Sequence, residues 1–323
     1  MDREKSDVDR LCRSVFPGLK RIIRSHLFFH LFFAGLVVAE SALLVGFALF
    51  RPGSAFLPFP LVCMILTIFI YLIALFYLKT KKPQQFRELQ DRFMSLCKRD
   101  LPTDLSSEDY HLTLANAAYR FAERLKEEER TVSCEKVSDH RLLHRLIYRC
   151  TRLCYDRDFH KMKELLLSVS VREHILLIRQ CPMNLEAHGS LANAYIDFAS
   201  IYHGEGELVD ERCAHFLKKA VEEFKVMDRL SPENPWIQAR LAPCYRELDC
   251  VEEEMRCYEK ILARCPDDRR VMFNLGVLYF KQGKNAQGLK IYQDLKRVRF
   301  SRADELIALY EAGRLQAHFG NEH

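Results

Sequence analysis

Two apolar runs stand out near the N-terminus, LFFHLFFAGLVVAESALLVGFALF over 27–50 and LPFPLVCMILTIFIYLIALFYL over 57–78. Each holds at least the ~20 residues a helix needs to cross ~30 Å of hydrocarbon. Only RPGSAF lies between them, a Pro-Gly turn. The pattern predicts an antiparallel transmembrane hairpin over 27–78, with both outer ends on one side. Ahead of it, Leu11, Val15, Leu19 and Ile22 form a helical stripe broken at Pro17-Gly18. That predicts a basic segment over 1–26 lying against headgroups. After Lys79, apolar residues recur at threes and fours, and Gly and Pro fall at the ends of periodic runs. The chain therefore reads as all-α, with a helical linker over 79–107 and paired helices over 108–323.

The paired helices repeat. Leu241, Tyr245 and Tyr258 recur as Leu275, Tyr279 and Tyr292 at a constant offset of 34 residues. The same step backward from Tyr258 and Pro266 reaches Phe224 and Pro232. This period and motif resemble the tetratricopeptide repeat family. MFNLGVLY over 272–279, then Gly288 and Tyr292, is one copy; Leu241-Ala242, Tyr245, Tyr258 and Pro266 make the one before it. The implied fold is a tetratricopeptide-like α-solenoid, most regular over 184–300, with a capping helix over 301–319 opened by Ser301 and Asp304.

Upstream the register loosens. SLANAYIDFA over 190–199 supplies a first helix, and Ala220, Phe224 and Pro232 belong to its second. The extra length there predicts longer helices and a loop, HGEGELVD, over 203–210. TLANAAYRFA over 113–122 reads as another first helix, with its second expected within 138–154.

By resemblance, such repeats bind a protein or extended peptide in a concave groove lined by the first helices. The candidates are Asn193, Asp197, Arg240, Arg246, Arg270, Phe273, Asn274, Val277 and Lys281. Asn193 and Arg270 match positions that clamp a peptide carboxylate in some members. Arg240 and Asn274 are exchanged relative to that clamp, and Gly189 replaces its leading Lys. An acidic or carboxylate-ended partner is implied, unless Arg240 and Arg246 only pair with nearby Glu residues. Trp236 is read as packing on the preceding repeat or as an interface anchor.

Charge then orients the hairpin. Arg13, Lys20, Arg21 and Arg24 precede it, Lys79, Lys81, Lys82 and Arg87 follow it, and the connecting loop carries Arg51 alone. This places both termini in the cytoplasm, a bacterial inner membrane being the default expectation. The two apolar lobes also resemble the bilobed hydrophobic domain of chlamydial inclusion membrane proteins, which would place the exposed part in a host cytosol. A net charge of +5 gives no case for nucleic acid. Twelve cysteines without a C-x-x-C pair fit buried thiols in a reducing compartment.

His30 and Glu40 lie inside the first run. A mid-membrane carboxylate costs about 2.5–3.5 kcal/mol and must be neutral, paired or turned toward protein. It either hydrogen-bonds Ser41 or a second copy, or it serves transport in an oligomer. Gly35, Ala39, Ala42 and Gly46 form a small-residue seam suited to the hairpin or to a homo-oligomer. Catalytic motifs, a phosphate loop and cofactor signatures are absent from the sequence. A zinc site from His140, His144, Cys150 and Cys154 fails on one continuous helix, because His144 and Cys150 stand ~9 Å apart along the axis. The expectation is a non-catalytic membrane-anchored adaptor with neither metal nor cofactor. The alternative is an oligomeric transport or channel component using Glu40.

Overall fold

The computed structural model describes residues 2–50, 58–102, 104–134, 142–202, 211–232 and 234–319. Side chains are described outside 2–8, 130–134, 142–154 and 313–319. The described residues are helical and contain no strand. The helices are α1 (Asp2–Phe50), α2 (Pro58–Arg99), α3 (Ser107–Cys134), α4 (Leu142–Gln180), α5 (Leu185–Tyr202), α6 (Glu211–Leu230), α7 (Pro235–Glu247), α8 (Val251–Arg264), α9 (Arg269–Lys281), α10 (Asn285–Arg297) and α11 (Ala303–Phe319). The chain divides into two compact units after Glu173.

In residues 1–173, α1 and α2 run on past the apolar runs, and their polar ends meet α3 and α4. Each helix offers apolar residues at helical spacing: Cys12, Val15, Leu19 and Ile23; Phe86, Leu89, Phe93 and Cys97; Leu114, Ala118, Phe121 and Leu125; Phe159, Met162 and Leu166. All of these are buried. Phe93 meets Phe121 at 4.7 Å between ring centroids, and Phe16 stacks on Phe159 at 6.4 Å. Ser106 caps α3: its hydroxyl accepts from the Asp109 amide at 3.1 Å and donates to that carboxylate at 2.7 Å. Ion pairs join the helices at Lys20–Glu128, Lys82–Asp158 and Lys163–Glu129.

Three structural features bear on the expected layout. The apolar stripe of residues 9–26 is covered by protein, while Arg13, Arg21 and Arg24 stay exposed, and α1 runs unbroken through Pro17. Gly18 brings the two long helices close, since a Cβ there would stand 3.0 Å from Leu89 Cδ1. Residues 79–107 are no mere linker, because α2 reaches Arg99 and supplies core residues. At 28 and 39 residues, α3 and α4 are much longer than the 13- or 14-residue helices of the regular pairs.

In residues 174–323, α5 pairs with α6, α7 with α8 and α9 with α10, while α11 packs on α9 and α10. The register of 34 governs details as well as motif residues. Asn234 caps α7 and Asp268 caps α9, each accepting a first-turn amide. Asp249 and Gly283 turn the chain between paired helices at φ 54° and 70°, the left-handed region that Gly and Asp tolerate best. α5 and α6 run to 18 and 20 residues, against 13 or 14 for α7 through α10. The loop over 203–210 lies outside the described residues. α11 starts at Ala303, behind Arg302 forked onto Glu305, and not at Ser301.

Candidate functional site

The small position of the repeat decides how each pair closes. Ala220, Glu254 and Gly288 stand 34 residues apart, and all three are buried. At Gly288 a Cβ would come within 2.6 Å of the Phe280 ring, so the absent side chain admits that ring. Glu254 is 2% exposed in the same register and is met by a cation. Arg246, which stands where the next repeat has Phe280, donates to Glu254 at 2.8 Å and also to the Tyr258 hydroxyl. Burial weakens the guanidinium charge, but the bond to Glu254 more than restores it and raises the Arg246 pKa. Tyr258 is pushed up to about 12, mainly by burial. Asn274 of α9 also bonds Tyr258, tying the two regular pairs together.

A second cluster crosses the first helices. Arg240 of α7 donates to the Asn193 side chain of α5, and its guanidinium lies 5.7 Å from the Trp236 ring. Trp236 sets its edge against Phe224 at 6.2 Å yet stays 46% exposed, so it both packs on the preceding pair and faces outward. Gly189, buried in α5, lets Met227 approach to 3.3 Å of where a Cβ would be.

Among the nine groove candidates, Asn193 with Arg240, and Arg246 with Asn274 through Tyr258, are brought together. Arg270 and Lys281 are exposed, and Asp197 is half-buried. Phe273 leaves the set: it is 4% exposed in a core with Leu295, Ala303 and Leu306, under Arg302. Val277 packs beside it. The cause is α11, which covers that face of α9. Glu254 reads in sequence as part of a solvated Glu252-Glu253-Glu254 face, whereas it is a buried ion-pair partner. Its register with Ala220 and Gly288 was the available signal. Cys213 and Cys257 are buried cysteines, and burial pushes Cys257 up to about 12. His140, and the side chains of His144, Cys150 and Cys154, lie outside the described residues.

The apolar parts of α1 and α2 are long and apolar enough to cross a membrane. Their polar residues pair across the hairpin. Thr67 donates to Glu40 Oε1 at 2.7 Å, and His30 Nδ1 lies 3.1 Å from the Tyr71 hydroxyl. Glu40 thus meets α2; Ser41 instead bonds the Val37 carbonyl. Glu40 Oε2 is buried without a hydrogen-bond partner. Gly35 has no neighbouring atom near its Cβ direction, and Ala39, Ala42 and Gly46 line a depression of about 640 Å³ on α1.

The second unit is thus a stack of helix pairs of the α-solenoid kind. Among solved structures the chain is similar to MamA, at 14% identity and a TM-score of 0.34 over 50% of this chain and 95% of that one. It is also similar to TTC0263, a tetratricopeptide protein of Thermus thermophilus, at 20% identity and a TM-score of 0.32 over 64% and 93%. The repeat unit itself is defined by the internal 34-residue register, not by these distant likenesses. No protein-family profile and no curated protein matches the sequence.

Proposed function

We propose that this protein is a two-span membrane anchor that presents a helical-repeat unit to a protein or peptide partner on the cytoplasmic side. The observation that carries the reading is the uncovered belt on the hairpin. Phe28, Phe32, Val38, Phe50, Val62, Phe69 and Phe76 are all more than half exposed. A core helix of a water-soluble protein buries such residues; a helix in lipid does not need to. Basic residues flank both outer ends, which favours cytoplasmic termini. The belt is tested by sodium carbonate extraction of membranes, in which the chain is expected to stay in the pellet. Recovery in the supernatant contradicts it.

The partner surface is read from Asn193, Trp236 and Arg240 together with exposed Arg270 and Lys281. Arg246 contributes little net charge because Glu254 neutralises it, so the preference for an acidic or carboxylate-ended segment rests on the other three cations. Titration with an acidic peptide in free-acid and amidated forms tests this. The free acid is expected to bind more tightly, and Arg270→Glu to erase the difference. A second reading, transport by an oligomer, draws on the partnerless Oε2 of Glu40. Loss of transport in Glu40→Gln, with peptide binding intact, would favour it.

A further inference from the structure

Where the uncovered belt gives way to the charged ends of α1 and α2, a cavity of about 510 Å³ opens between α1, α2 and α4. Lys79, Lys82, Arg157 and Lys161 line it, with Asp158 as the sole carboxylate among its lining residues. Four cations against one carboxylate leave a formal excess of three positive charges. Asp158 is only 5% exposed and holds Lys82 Nζ at 2.6 Å, which fixes one cation in place. Lys161 is shared with Glu164 at 2.8 Å. On the α1 side His26 is 7% exposed and meets Gln85 at 3.3 Å.

Apart from His30, which meets the Tyr71 hydroxyl at 3.1 Å, the remaining lining is apolar. Phe86 is 2% exposed, and Leu75 and Leu78 lie two turns and one turn before Lys82 on α2. From them the helix continues into the uncovered belt at Leu72 and Phe76. A cationic mouth with an oily floor, open toward lipid, suits an amphiphile whose anionic part sits at headgroup level. A free inorganic phosphate would use the cations and leave the floor uncovered.

We propose that this cavity binds the phosphate of an anionic glycerophospholipid, whose acyl chains run along Leu75 and Leu78 onto the lipid-facing side of α2. The proposal rests on the reading that the hairpin spans the bilayer. It differs from general attraction to an anionic surface, because Arg21 and Arg24 line a separate, open depression on α1 and are not expected to take part.

The test uses the full chain in nanodiscs of equal phosphatidylcholine and phosphatidylglycerol, released and weighed by native mass spectrometry. Retention of one phosphatidylglycerol is expected. Lys79→Gln with Arg157→Gln should reduce retention about tenfold or more, while Arg21→Gln with Arg24→Gln, an equal charge change, should leave it unchanged. Millimolar inorganic phosphate should not displace the lipid. Equal losses in both double variants, no preference between the two lipids, or displacement by phosphate would each overturn the proposal. A chain that never enters the nanodisc would overturn it together with the spanning reading, and that outcome is recognised separately by size-exclusion chromatography.

Discussion

In residues 174–323, apolar side chains such as Phe224, Ile237 and Leu295 are shielded completely, and, Leu185 apart, what faces outward on the first helices is polar or amphipathic. In residues 1–173, α1 and α2 treat their apolar side chains in two ways along one helix. Near Leu19 and Phe93 a stripe of them is covered by neighbouring helices; near Phe50 and Phe76 the exposure rises to 86% and 74%. Under the proposed spanning reading, the difference is one of solvent. A helix in water hides one face and shows periodicity, whereas a helix in hydrocarbon is apolar all round and needs no cover.

The largest way to break that contrast is to place charge in the belt. Ile65→Arg with Leu72→Arg is expected to cost about 5–7 kcal/mol of insertion, at about 2.5–3.5 each. The fraction of chain resisting carbonate extraction measures it, and an unchanged fraction would deny the belt its role. Phe121→Ala, in the covered part of the first unit, should destabilise that unit by about 3–5 kcal/mol. Hydrogen exchange should then quicken in the polar end of α2 and in α3 while α7 through α10 keep their protection.

A smaller effect separates the two regular repeats. Gly288→Ala should cost about 1–3 kcal/mol, since its new methyl meets the Phe280 ring. Glu254→Ala, in the same register, should cost less, because Arg246 is half-exposed and can turn to water. Thermal unfolding of the two variants side by side reads the order.

Acidification gives the mildest test. Burial favours the neutral form of Glu129, but bonds from His160 and Lys163 outweigh it and depress its pKa. A carboxyl depressed by folding binds fewer protons in the folded state than in the unfolded one. Its contribution is therefore complete above the ordinary carboxylate range and is lost as pH falls through the folded value. Glu129→Gln should flatten the acid limb of the stability profile of residues 1–173; an unchanged limb would assign the acid sensitivity elsewhere.

The contrast also explains what the sequence alone makes legible. The 34-residue register was legible because caps, turns and small positions repeat with it, as at Asn234 and Asp268. The all-α fold class and the apolar lengths of α1 and α2 were equally plain. The assignment of 108–173 was not, because TLANAAYRFA and SLANAYIDFA share one apolar period while their helices bury it against different partners. Periodicity reports that a face is covered, never by what. In the candidate site, Asn193 and Arg240 lie side by side on neighbouring first helices, whereas the burial of Glu254 was not legible because a charged run is read as solvated. Phe273 was misplaced because the cover supplied by α11 is not written in α9.

The central claim, a hairpin crossing the bilayer with both ends on one side, is tested most directly by labelling in right-side-out vesicles with a membrane-impermeant maleimide. A cysteine installed as Ser54→Cys, in the segment between the two apolar runs, is predicted to react at once. Exposed Cys265 in the repeat unit is predicted to react only after permeabilisation. Simultaneous labelling of both, before any detergent is added, would contradict the account.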